Sequence, residues 1–202
     1  MRKLLLALPL LVAVPYIANG ESAMAPKVVD TSKIAGGTYV VESTHALIGW
    51  KVDHFGFNDY FGIFGNPTGT LKLDTADPAK SSVSIDIPIS GLVTASDGLT
   101  GHMKTPDFFN AAVHPSAKFV STMVKVDGTK AMIHGDLTIL GVTKPVVLDA
   151  KLSGAGINFR SKKETVGFHA TASIKRSEWG MGKYVPAVGD KVDLDISVAF
   201  EK

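Results

Sequence analysis

Apolar and polar residues alternate one for one along most of this chain. That two-residue period is the tightest constraint on its fold, because successive side chains on a β-strand point to opposite faces. Ala46, Ile48, Trp50, Val52 and His54 share one face, opposite Gly49, Lys51 and Asp53. Val83, Ile85, Ile87 and Ile89 form a row against Ser82, Ser84, Asp86, Pro88 and Ser90. Val166, Phe168, Ala170, Ala172 and Ile174 form another, and Val192, Leu194, Ile196, Val198 and Phe200 a third. Each row predicts a strand with one buried and one wet face.

Further strands are expected over 38–42, 60–64 and 70–74, and from Ala117 through Val126, where a change of parity predicts a bulge. Asp127-Gly128 tolerates positive φ and predicts a hairpin; Gly135 to Pro145 leads into Val146, Leu148, Ala150 and Leu152 as a second. About eight or nine short strands with turns between them make an all-β antiparallel barrel or sandwich. Closure into a barrel of about eight strands would remove exposed edges and leave room for one small ligand. The period breaks at Asp97 to Phe109, where Leu99, His102, Met103 and Phe108 approach helical spacing, so a short helical insertion is expected there, acting as a lid or a plug.

Met1-Arg2-Lys3 precedes an apolar run from Leu4 to Ile17, the layout of a secretory signal peptide and shorter than a comfortable membrane span. Cleavage is expected after Ala25, with Gly20 the other small-x-small option, leaving 26–202 as a single domain in an exported compartment. Arg2 and Lys3 lie in that leader, so the net charge of +2 leaves the domain close to neutral, and no basic run remains for nucleic acid. The chain has no cysteine, which excludes disulfides and thiolate metal sites.

Motifs for catalysis are missing. There is no Gly-x-Ser-x-Gly, no phosphate loop and no dinucleotide fingerprint. The six histidines include no His-Glu-x-x-His and no His-x-His pair. His134 and His169 fall on outward faces; His54 falls on the inner face, where it is a satisfied structural residue, a contact to a ligand head group or a metal ligand. Phe55, Phe57, Tyr60, Phe61 and Phe64 crowd one turn and strand among Gly56, Gly62 and Gly65, and either line the mouth of an apolar cavity or, the reading we favour, fill the narrow end of a barrel. Near the C-terminus, the segment from Arg176 through Trp179 to Tyr184 reads as a capping loop held by its tryptophan.

Several segments carry a family resemblance in fixed order. They are His45 with the Phe-Gly and Gly-x-Phe elements up to Gly65; Asp107-Phe108-Phe109-Asn110 with His114-Pro115-Ser116-Ala117-Lys118-Phe119; Gly135 to Pro145; Gly167-Phe168; and Gly189-Asp190-Lys191-Val192. From about Gly37 to Glu201 the chain resembles the YceI-like proteins. That resemblance implies a lipocalin-like barrel, export to the periplasm, and a cavity for an isoprenoid (polyprenyl or quinone-type) or other long-chain lipid. It names no cofactor.

The expected ligand-binding set is Ile48, Trp50, Val52, Phe61, Phe64, Ile85, Met103, Phe108, Phe119, Phe168 and Ile196 for the apolar wall, with His54, His102 and Lys183 as polar contacts at the mouth. The expected partner is the lipid itself, with transient membrane contact, no nucleic acid, and a homodimer as one option. Two other readings remain open from sequence: a metal-dependent enzyme using His45, His54, His102 or His114, and a solid-core interaction protein.

Overall fold

The computed structural model describes residues 31–202, so the expected leader and its cleavage site lie outside the described residues. Eleven strands form one sheet: β1 (Gly37–Val41), β2 (Leu47–His54), β3 (Asn58–Gly65), β4 (Thr68–Leu73), β5 (Ser82–Pro88), β6 (Leu92–Thr94), β7 (Ser116–Asp127), β8 (Lys130–Ile139), β9 (Val142–Ile157), β10 (Glu164–Lys175) and β11 (Val188–Glu201). The helix α1 (Asp97–Met103) lies between β6 and β7. All pairings are antiparallel.

Eight of the strands close a ring in the order β1–β4–β5–β7–β8–β9–β10–β11, with β1 returning to β11 through Val40↔Glu201 and Val41↔Phe200. The remaining three extend from the same edge of β11, as β2–β3–β6. β2 takes β11 from Val188↔His54 to Ser197↔Leu47. β1 and β2 are thus successive halves of one barrel position, interrupted at 42–46, and β4 and β3 repeat the arrangement beside them. The strand count exceeds the eight or nine expected because these long barrel positions are broken into pieces.

Local chemistry sets the corners. Leu140 and Gly141 both have positive φ (53° and 75°) in the two-residue turn between β8 and β9, the geometry whose twist suits a tight hairpin. The β7–β8 hairpin turns at Gly128 (φ 58°), and β7 shifts register between Ser121 and Met123, where the parity change placed a bulge.

The interior separates into two apolar clusters. One, around Tyr39, Val41, Ala46, Leu71, Val166 and Phe200, fills the end near the β1–β11 closure, with Ile85 and Phe168 packed against it. Beneath that end Glu201, nearly buried, accepts hydrogen bonds from Asn158 Nδ2 (2.9 Å) and Ser161 Oγ (2.7 Å). The other cluster runs from Ile48, Trp50 and Val52 to Phe119, Leu137, Ile139, Trp179 and Met181. Trp179 is 1% exposed and donates from Nε1 to Leu137 O at 3.1 Å, so the C-terminal loop is pinned into the core as expected.

Gly135 on β8 lies against the ring of Phe119. A Cβ there would fall 2.3 Å from Phe119 Cζ and 2.6 Å from Val120 O, far inside contact distance. Since the carbonyl belongs to the ladder, turning the ring alone gives no room. Gly135→Ala should destabilise the fold by about 1–3 kcal/mol, read as a lowered denaturation midpoint at constant slope.

Candidate functional site: an apolar cavity with a rimmed mouth

The second cluster is not close-packed throughout. It surrounds a cavity of about 380 Å³, open at the end away from the filled core. Strand alternation makes the wall: Ile48, Trp50 and Val52 from β2, Phe64 from β3, Ile87 from β5, Leu137 and Ile139 from β8, and Val192 and Leu194 from β11. The insertion adds Leu99, His102, Met103, Phe108 and Phe109. Ser96 caps α1 by accepting from Leu99 N, and Phe109 N donates to Met103 O, which turns the chain back across the opening. The insertion therefore forms one wall of the cavity.

Polar atoms are few. His54, Tyr60, His102, Arg176 and Tyr184 reach the cavity surface, and the rest of the lining is apolar. Arg176 is 6% exposed, yet it spends its fork on backbone carbonyls: Nε on Gly189 O (2.8 Å), Nη2 on Val188 O (2.9 Å), and Nη1 on Lys183 O (2.9 Å) and Met181 O. Burial pulls its pKa down, with the Asp190 carboxylate opposing. Its visible work is to hold the loop from Met181 to Gly189 in place. A signal for it was present: Arg176 continues the even-numbered inner row Val166 to Ile174.

Trp50 is positioned by a missing side chain. Its indole lies over Gly62 on β3, where a Cβ would come within 2.2 Å of Cζ2, and stacks on Tyr60 with centroids 6.3 Å apart. Among the described residues its Nε1 is the one buried side-chain polar atom without a hydrogen-bond partner. Leaving that donor unmet costs on the order of 1–3 kcal/mol, which the wall absorbs.

Of the residues expected to contact a ligand, Ile48, Trp50, Val52, His54, Phe64, His102, Met103 and Phe108 line the cavity. Six do not. Phe61 points outward and is 62% exposed, because a regular strand cannot turn both it and Phe64, three residues apart, to one face. Ile85 and Phe168 belong with the filled end. Phe119 is buried beneath Gly135, and Ile196 packs in the core behind the cavity wall. Lys183 stands outside the lining, bonded to Asp107. The aromatic cluster divides rather than filling the end as a body: Tyr60 and Phe64 face in, while Phe57 and Phe61 face out.

At the mouth, Asp107 Oδ2 joins the insertion to the C-terminal loop. It lies 2.8 Å from His102 Nε2 and 2.5 Å from Lys183 Nζ, while Tyr184 packs near Phe108 (6.2 Å) and His102 (6.5 Å). The Lys183 hydrogen bond, then that of His102, holds the Asp107 carboxyl below its ordinary range, and the Lys183 ammonium is raised in return. A lowered carboxylate contributes stability above its unfolded pKa and loses it as pH falls through the folded one. The contact should hold at neutral pH, fail in acid as Asp107 takes up a proton, and fail in strong alkali as Lys183 gives one up. Asp107→Asn should lower hydrogen-exchange protection over residues 104–111 about two- to fivefold at neutral pH, the range for an exposed ion pair; unchanged protection would show that this contact does not hold the insertion.

Comparison with known proteins agrees with this architecture. The YceI-like domain family matches residues 39–200. The protein YceI of Escherichia coli O157:H7 is 37% identical over 157 residues, covering 78% of this chain and 82% of its own. The crystal structure of the Campylobacter jejuni YCEI protein superposes with a TM-score of 0.66 at 26% identity, covering 89% of this chain and 99% of that one. A polyisoprenoid binding domain from Saccharophagus degradans, implicated in plant cell wall breakdown, shares the fold with a TM-score of 0.60 at 13% identity, covering 83% of this chain and 99% of its own. A closed eight-stranded barrel, the ordered sequence segments and these matches together make this chain a member of the YceI-like domain family.

Proposed function

We propose that the protein binds a long-chain lipid, an isoprenoid of polyprenyl or quinone type, with its tail in the barrel cavity, and carries or stores it in the periplasm. The carrying observation is the cavity itself: about 380 Å³, apolar, and confined to one end of a barrel whose other end is filled. Because the cavity opens to solvent at its mouth, water can enter it, but an almost wholly apolar lining gives that water few hydrogen-bond partners. A fold that keeps such a space gains by filling it with apolar matter, at about 0.8 kcal/mol for each methylene removed from water.

The volume also limits the guest. It lies at the small end for ligand pockets, so a long tail would have a segment inside and its remainder, with the head group, at the mouth near His54, His102 and Tyr184. The polyisoprenoid binding of the Saccharophagus degradans domain supports the tail chemistry. Export belongs to the same proposal and rests on the leader-like residues 1–25. The alternative of a histidine metal centre has less behind it. Among the described residues no three His, Asp or Glu side chains converge as a metal site; His45 bonds Glu42, and His102 bonds Asp107.

Trp50 provides the readout, being one of the two tryptophans and the one in the cavity wall. Titration with a short-chain isoprenoid quinone should quench its fluorescence saturably. Ala117→Phe, which fills the cavity from β7, should weaken binding at least tenfold, about 1.4 kcal/mol, with Ile139→Phe as a second filling variant. Undiminished binding by folded forms of both would overturn the assignment.

A further inference from the structure

We propose that Phe55, Phe57 and Tyr184 seat the mouth of the cavity in the headgroup–acyl boundary of a lipid bilayer, so that an apolar guest passes between membrane and barrel without crossing water. This rests on the lipid-binding reading and adds the surface on which loading takes place.

Exposure is the first observation. Phe57 is 88% exposed, Phe55 51% and Tyr184 49%. Phe55 and Tyr184 also line the cavity, so each has one part in the interior and another in solvent; they are the lip of the opening. Phe57 stands two residues further out in the same turn. Aromatic rings with an apolar body suit the membrane interface.

Backbone conformation is the second. Phe55 (φ 61°) and Tyr184 (φ 67°) both adopt the left-handed region, which is unusual for bulky side chains and costs free energy at each. Both are held in a common frame: Phe55 N donates to Ala187 O (2.8 Å), and Val188 N donates to Tyr184 O (2.7 Å). The fold fixes two half-exposed rings beside each other at the β2–β11 side of the opening, in strained conformations.

A neighbouring patch is the third. Phe61 and Ile63 lie at the parity of Phe57 on the outer face of β3, both exposed, with the charged Asp59 between Phe57 and Phe61, and Ile63 pairs with exposed Val93 on β6. A second apolar patch thus stands on the same side of the barrel as the lip, beyond Asp59. Of the charges near it, Lys51 pairs with Asp59 (3.0 Å) and Lys183 with Asp107 (2.5 Å), while the Asp53 carboxylate accepts from Gly56 N (2.9 Å), leaving no free cation among them. Seating is therefore driven by apolar insertion and not by attraction to anionic lipid. A second copy docked lip to lip would cover the same rings, but it would close the opening that the guest must use.

The test is flotation with phosphatidylcholine vesicles, with and without one-fifth phosphatidylglycerol, alongside guest binding measured in the absence of vesicles. The protein should float with both, almost independently of salt. Phe57→Ser and Phe61→Ser, neither in the cavity wall, should each cut vesicle partitioning at least tenfold, following the transfer free energy of a phenyl group, and leave guest binding unchanged. The indole introduced by Phe57→Trp should be quenched by lipids brominated near the carbonyl. Failure to float, or equal flotation of the serine variants, would overturn the proposal. So would a dimer in solution that Phe57→Ser dissociates, which would assign the lip to a second copy. Flotation without guest binding would support the membrane seat and sink the carrier reading instead.

Discussion

Everything in this barrel is arranged around β11, the strand that serves two partners along one edge. Its last residues close the ring through Val41↔Phe200, and its first two-thirds hold β2 from Leu47 to His54. Because β1 and β2 share that edge with a bend between them, the barrel has two ends of different character. At the β1 end, Tyr39, Val41 and Leu71 pack with Phe200 into a filled core. At the β2 end the wall stands away from its opposite side, and the space between is bridged by α1 and the loop around Arg176. Loss of that pairing would remove the boundary between filled and hollow halves, and the cavity with it.

Much of this was legible in the residues. Alternation identified most of the strands and inner rows, though not the three-residue β6 or the end of β5 before Ile89; the parity change in β7 located its bulge, and the break in period at Asp97 found the only α-helix among the described residues. Alternation reports which face a residue takes, not how far it stands from the residue opposite. That is why Ile85 and Phe168, correctly inward, belong to the filled end, while Ile48 and Trp50 in equally regular rows border the space. Phe61 is a different case: its spacing from Phe64 already forbade a shared face.

The polar residues of the mouth were the least legible. Lys183 was expected to face a guest, but its ammonium lies on Asp107, a long-range contact across the lip that no local pattern records. Arg176 carries the parity of an inner row, and its charge argues against burial until the carbonyls of Met181, Lys183, Val188 and Gly189 converge on it. Likewise the space above Gly62 makes sense only once the Trp50 indole occupies it. Such relations depend on distances set by closure of the whole sheet.

On the proposed function, the hollow end holds an apolar chain. Organic extraction and mass spectrometry of protein purified from its native compartment, beside a mock preparation, tests it most directly. A lipid carrier should yield an isoprenoid or other long-chain lipid near one per protein and absent from the mock. An extract that stays empty, also after incubation with polyprenyl and quinone lipids, would contradict it.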